Sequence, residues 1–276
     1  MSVPYIAIEV LTLIMMFLMV VRFMVRKESR IFPIYDVGQC MTIGTREVQE
    51  DNYMVADSVQ GMLGVLADGM GKRYGGKIAS RIVIETFGNL FQEYNAFDNP
   101  GYYFRKAFQA SNREILKAMD DGRGASSVAA VMIQNKMLHY ALVGNVKIAV
   151  YRNHDLVPIS NGHTINVLAE KKYYQGSLTR VDAIRMLDEH RLYNYVGQDC
   201  FRDIEFMDDP VKLQPNDVVV LLSDGIFEQV TWKRMEDILG GKGDSQEKAL
   251  AMVEEINNSD AEDKDNASVV LIRIIS

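Results

Sequence analysis

The apolar positions of this chain change period several times, and each change marks an element. Val3 to Val21 is an almost unbroken apolar run whose only charge is Glu9, and Arg22, Arg26, Lys27 and Arg30 follow it at once. At about 1.5 Å per residue, some 20 apolar residues span a hydrocarbon core of roughly 30 Å. The basic flank predicts that the amino end faces out and the rest lies in the cytoplasm. No basic start or small-residue cleavage site marks the run as a removed leader. Residues 1–26 therefore read as a membrane anchor, 27–35 as a charged linker containing Pro33, and 36–276 as one folded domain.

Within that domain, short alternating runs predict strands at Tyr53–Asp57 and Met62–Ala67. Helical spacing follows from Lys77 to Tyr94, with Ile78, Ile82, Phe87, Leu90 and Phe91 on one stripe, and again from Tyr103 to Met119. Strands return at Val128–Ile133, Met137–Val143 and Lys147–Tyr151. Residues 162–197 are more polar and irregular, with one helix expected near Val181–Glu189. Val218–Ser223 reads as an apolar strand, Gln246–Asn257 as a helix and Ala267–Ile275 as a last strand. Strands surrounding two consecutive helices fit an α+β sandwich better than a parallel βαβ series. The apolar stripes are expected to be core.

Composition narrows the function. The chain has 276 residues, 48% of them hydrophobic and 24% charged, which is globular usage. A net charge of −7 repels phosphodiester backbones, so no nucleic-acid partner is expected. Cys40 and Cys200 stand far apart without ligand spacing, and His139, His154, His163 and His190 show none either.

The chemistry concentrates in acidic residues beside strand ends. Asp68 follows Gly64-Val65-Leu66-Ala67 and precedes Gly69; Asp224 follows Val218–Ser223 and precedes Gly225; Asp265-Asn266 precedes the last strand; Glu50-Asp51-Asn52 precedes another. One Asp-Gly is ordinarily a turn. A carboxylate at the edge of an apolar strand is costly to bury alone, and a hard cation offsets that cost. Four such sites could converge on one pair of divalent ions. A phosphate-binding loop at Gly64–Gly71 is excluded, because Met70 rather than Lys follows Gly69.

Seven motifs then occur in one order: Arg46-x-x-x-Glu50-Asp51-Asn52, Ala67-Asp68-Gly69-Met70-Gly71, Gly75-Gly76 with Ala79-Ser80, Gly124-Ala125-Ser126-Ser127, Val143-Gly144-Asn145, Ser223-Asp224-Gly225-Ile226 and Asp265-Asn266. Together they resemble the metal-dependent protein phosphatase 2C family over residues 36–276. The resemblance implies a four-layer α-β-β-α sandwich, two antiparallel sheets flanked by helices. It implies two Mn²⁺ or Mg²⁺ ions bridged by Asp68, with the Gly69 carbonyl, Glu50, Asp224 and Asp265 completing their shell, and Arg46 clamping phosphate. The expected reaction is attack of a metal-activated water on phosphoserine or phosphothreonine in a phosphorylated protein, one set by a serine/threonine kinase. Asp51 reads as a supporting or turn residue. Asn145 stands where the family often has an Asp that helps hold a third ion, and Glu228 could compensate. Met70 cannot act as a proton donor, and Lys72 replaces a common Gly. The irregular 162–197 stretch matches the family's variable flap; Lys171, Lys172 and Arg180 there are candidate contacts for an acidic phosphoprotein. The competing reading is a catalytically weak, phosphatase-like binding module at the membrane, anchored through lipid contact of residues 3–21. A third is a phosphatase acting on a stress- or sporulation-type anti-sigma antagonist.

Overall fold

The computed structural model describes Met15 and residues 35–275 other than 94, 120–123, 200, 202 and 208. The expected membrane span and all but the last residue of the expected linker lie outside the described residues, Met15 aside. Among the described residues no helix is long and apolar enough to cross a membrane.

Tyr35–Ser276 forms one compact unit. Its strands are β1 Tyr35–Thr42, β2 Asn52–Asp57, β3 Met62–Gly71, β4 Gly124–Gln134, β5 Met137–Val143, β6 Lys147–Arg152, β7 Asp155–Pro158, β8 Glu205–Phe206, β9 Val211–Lys212, β10 Val218–Leu222 and β11 Ala267–Ile274. The helices are α1 Gly75–Glu93, α2 Pro100–Ala118, α3 Ile165–Tyr174, α4 Arg180–Arg185, α5 Asp224–Phe227, α6 Trp232–Gly240 and α7 Ser245–Asn257. One sheet runs β1-β11-β10-β6-β7; the other runs β2-β3-β4-β5-β8, with β9 also on β5. Every pairing is antiparallel.

The period-2 alternation of the strands separates three cores. Val219 and Leu221 of β10, Val270 and Ile272 of β11, and Leu66, Val131 and Leu142 of the other sheet meet between the sheets. The alternate residues Val220, Leu222, Val269 and Leu271 face α6 and α7, where Met235, Met252, Val253 and Ile256 complete a second core. Leu63, Val65, Ala67 and Val128 turn the other way, under Val83 and Phe87 of α1 and Phe104 and Phe108 of α2. Phe87 and Phe108 meet edge to face, centroids 5.2 Å apart, a geometry that adds about 0.5–1.5 kcal/mol to area burial. Helices thus cover both outer faces, giving the expected two-sheet sandwich.

Helix ends follow local chemistry. Asn99 caps α2 by accepting from the Tyr102 amide, with Pro100 in the first turn. Asp244 and Glu247 form a reciprocal capping box on α7. The structure adds elements that patterning does not predict. Among them β1 pairs with β11 from Tyr35↔Ile274 to Thr42↔Ala267. That register brings the loop after β1 against the residues before β11, where Thr45 N donates to the Lys264 carbonyl at 3.0 Å.

Candidate metal centre

β3, β10 and β11 deliver their acidic residues to one end of the sandwich. A cleft of about 620 Å³ opens there, lined by Arg46, Glu50, Asp51, Asp68, Gly69, Met70, Arg73, Asn145, Asp224 and Asp265, with His190 and Leu192 of the flap contributing to its wall. All five predicted or suspected acidic residues of the Asp68 set therefore line one cavity. Glu228 is exposed and does not line it; it acts on Asp224 only through its charge.

Glycines let the strand ends approach. A Cβ on Gly69 would stand 2.2 Å from the Gly76 carbonyl oxygen and 2.5 Å from that of Glu50; one on Gly225 would stand 2.1 Å from the Asn266 carbonyl oxygen. Neither glycine is among the positive-φ residues. Their role is close packing of backbone on backbone rather than the sharp turn the Asp-Gly pairs suggest. Asn266 ties the same region together: its Oδ1 accepts from Glu50 N at 2.7 Å and its Nδ2 donates to the Ile43 carbonyl at 2.9 Å.

The carboxylates are crowded and short of counter-charge. The Asp68 and Asp224 carboxyls stand close enough to interact, which raises Asp68 and lowers Asp224 relative to burial alone. Burial, then the charges of Asp224, Asp51 and Asp265, hold the Asp68 carboxyl well above the usual range. Asp224 is pushed up to about 6 by burial and by Glu228 and Asp265. Asp51 is 6% exposed, and burial pushes it up to about 7, with Asp224 and Asp265 adding to the rise and the hydroxyls of Ser268 and Ser223 opposing it. Burial also raises Glu50, against the backbone amides of Gly76 and Lys77 in the first turn of α1. That placement suits an anion at a helix N-terminus. Glu50 Oε1 and Asp51 Oδ2 are nonetheless buried without a hydrogen-bond partner.

Two expected ligands are engaged elsewhere. Arg46 grips Asp265 through Nε to Oδ1 and Nη2 to Oδ2, both 3.1 Å, with Nη1 3.6 Å from Asp263. Glu50 faces α1. Among the described residues, accordingly, no three His, Cys, Asp or Glu side chains stand together as a ready ligand set. The donor chemistry still fits hard dications: all-oxygen groups, a closely placed Asp68–Asp224 pair, and buried carboxylate oxygens with nothing to satisfy them. Asn145 sits beside the pair, its Nδ2 donating to Asp224 Oδ2 at 3.4 Å and its backbone N to Ser127 Oγ at 3.0 Å.

Sequence reasoning missed two features. Asp51 reads locally as a turn residue, yet it is the most buried acid of the cluster. Arg73 lines the cleft, whereas Lys171, Lys172 and Arg180 of the flap do not; Lys171 and Arg180 line separate cavities beside α3 and α4.

Comparison with known proteins agrees with this geometry. A sequence profile described as Protein phosphatase 2C matches residues 41–248. The serine/threonine phosphatase stp of Listeria monocytogenes is 28% identical over 236 residues, covering 82% of this chain and 90% of that protein. Two solved structures share the fold: the serine/threonine phosphatase of S. agalactiae, with a TM-score of 0.73 at 20% identity over 87% of this chain and 99% of that one, and the catalytic domain of the phosphatase PstP in complex with two manganese ions, with a TM-score of 0.69 at 19% identity over 88% and 99%. The chain belongs to the protein phosphatase 2C family of metal-dependent serine/threonine phosphatases, enzymes that work with two Mn²⁺ or Mg²⁺ ions.

Proposed function

We propose that this chain removes phosphate from phosphoserine and phosphothreonine in proteins while anchored to the cytoplasmic membrane through residues 3–21. The observation that supports the chemistry is the meeting of Glu50, Asp51, Asp68, Asp224 and Asp265, from separate stretches of chain, in one cleft. Asp68 is the residue both ions would share, with the Gly69 carbonyl, Asp224 and Asp265 as further ligands and Glu50 and Asp51 directly beside them. When bound, the ions supply positive charge for phosphoryl oxygens and lower the pKa of water toward neutrality.

The chain's own groups do the rest. Arg46 holds the Asp265 carboxylate at the mouth of the cleft, with its Nη1 3.6 Å from Asp263. Asn145 holds Asp224 from the side. The amides of Gly76 and Lys77 fix Glu50. Met70 lines the cleft without a proton to give, so the departing serine or threonine oxygen takes its proton from solvent water. The flap wall at His190 and Leu192 limits how a peptide enters. Such a substrate implies an opposing serine/threonine kinase.

The test is hydrolysis of a phosphoserine peptide by the full-length chain with and without Mn²⁺. Metal-dependent turnover that Asp68→Asn abolishes is expected; near-wild-type rates in that variant contradict the shared-ligand role. The anchor rests on the apolar run and its basic flank. An amino-terminal tag reachable from outside intact cells, with a carboxy-terminal tag protected, is expected; the reverse overturns the orientation.

A further inference from the structure

Arg73 sits in the turn between β3 and α1 with a backbone φ of +58°. An L-residue with a long side chain adopts that left-handed conformation at a cost of roughly 1–2 kcal/mol. The turn is closed by Gly75 N donating to the Lys72 carbonyl at 3.1 Å. Unfavourable backbone geometry of this kind clusters at functional sites, and is also found here in the hairpin turns at Lys136 and His154. Arg73 lines the same cleft as Asp68, Asp224 and Asp265, yet among the described residues no hydrogen bond or ion pair engages it.

The other guanidinium in the cleft is in a different state. Arg46 has both fork positions on Asp265 and its remaining nitrogen near Asp263. A phosphomonoester dianion that enters a cleft lined by six carboxylates, Glu47 among them, meets a repulsive field. Lys72 is exposed and does not line the cleft. Arg73 is therefore the one cleft-lining guanidinium among the described residues whose planar fork is open to a pair of phosphoryl oxygens.

We propose that Arg73 is a second guanidinium that holds the phosphoryl group of the substrate, alongside Arg46. The proposal rests on the phosphatase reading above.

The experiment uses the full-length, Mn²⁺-loaded protein with an aryl phosphate as substrate and inorganic phosphate as probe. A phosphate held by a charged hydrogen-bond pair contributes about tenfold to a hundredfold in affinity. Arg73→Ala should raise KM by about that factor and leave kcat within about threefold. The inhibition constant of inorganic phosphate should rise in parallel, and calorimetric phosphate binding should weaken by the same factor. Arg73→Lys should recover part of the loss. Arg73→Gly, which relaxes the turn, should show the full kinetic loss while melting no lower than wild type. If Arg73→Ala and Arg73→Gly both leave KM and calorimetric phosphate affinity within about twofold, the proposal is overturned even where the wild type turns over normally. Absence of Mn²⁺-dependent turnover in the wild type sinks the phosphatase reading instead, and the calorimetric arm still decides whether Arg73 binds phosphate.

Discussion

Asp51→Asn separates a constrained charge from a useful hydrogen-bond acceptor. In the folded domain Asp51 is 6% exposed, and its pKa lies at about 7 against an ordinary value of 3.8. Between those values the folded state binds more protons than the unfolded state, so stability falls as pH rises through the window. One pKa unit is about 1.36 kcal/mol, so a shift of about three units sets a ceiling of about 4 kcal/mol above the window. Asp68 and Asp224 are raised as well and draw on the same protons, which leaves about 1–3 kcal/mol for Asp51 itself. Asn keeps the shape, removes the charge and can still bond the hydroxyls of Ser223 and Ser268. In chelator at about pH 8, urea unfolding of Asp51→Asn should give about 1–3 kcal/mol more stability than wild type, and at about pH 4 the two should coincide. With Mn²⁺ the variant's advantage should shrink, because bound metal at a hundredfold over its Kd stabilises the wild type by about 2.7 kcal/mol and binds the variant more weakly. A variant less stable than wild type at about pH 8 in chelator would refute the reasoning, since Asp51 would then be contributing to the fold rather than to a charge held for a cation.

Other substitutions probe separate links. Gly69→Ala drives a Cβ to 2.2 Å from one backbone oxygen and 2.5 Å from another; a loss of about 1–3 kcal/mol and of Mn²⁺ affinity is expected by urea unfolding and calorimetry. Asp217 is 2% exposed and takes both Nε and Nη2 of Arg152, along with the Gln214 amide at 2.6 Å. Asp217→Ala should therefore cost about 3 kcal/mol in thermal or urea unfolding, with kcat per folded molecule unchanged because the pair lies outside the cleft. Asn145→Asp puts a carboxylate where an amide lies 3.4 Å from Asp224. In chelator it should lower stability by about 1 kcal/mol at neutral pH, and calorimetry should show additional Mn²⁺ bound.

What the sequence discloses, and what it hides, divides along range of interaction. β10 and β11 are legible because every residue of Val218–Leu222 is buried and apolar and the alternation decides which core each one enters. β1 is not legible: apart from Gly38 it is only half-buried, and Gln39 interrupts its inward-facing apolar set. Its pairing with β11 comes from residues more than 200 positions away. The same division runs through the site. Asp68 and Asp224 announce themselves because a carboxylate beside an apolar strand is anomalous locally. Asp51 does not, because Glu50-Asp51-Asn52 has the composition of a turn, and the Ser223 and Ser268 hydroxyls beside it come from far along the chain. Arg46 is legible as a residue near the acids, but its engagement with Asp265 depends on the β1–β11 register that brings a loop and a strand start together. Arg73 is the extreme case. Lys72-Arg73-Tyr74 has the composition of a solvated loop, and only the left-handed backbone and the absence of a bonding partner among the described residues distinguish it from one. Local chemistry therefore identifies which atoms a metal would take, while the long-range register decides which charges remain free to meet the phosphate.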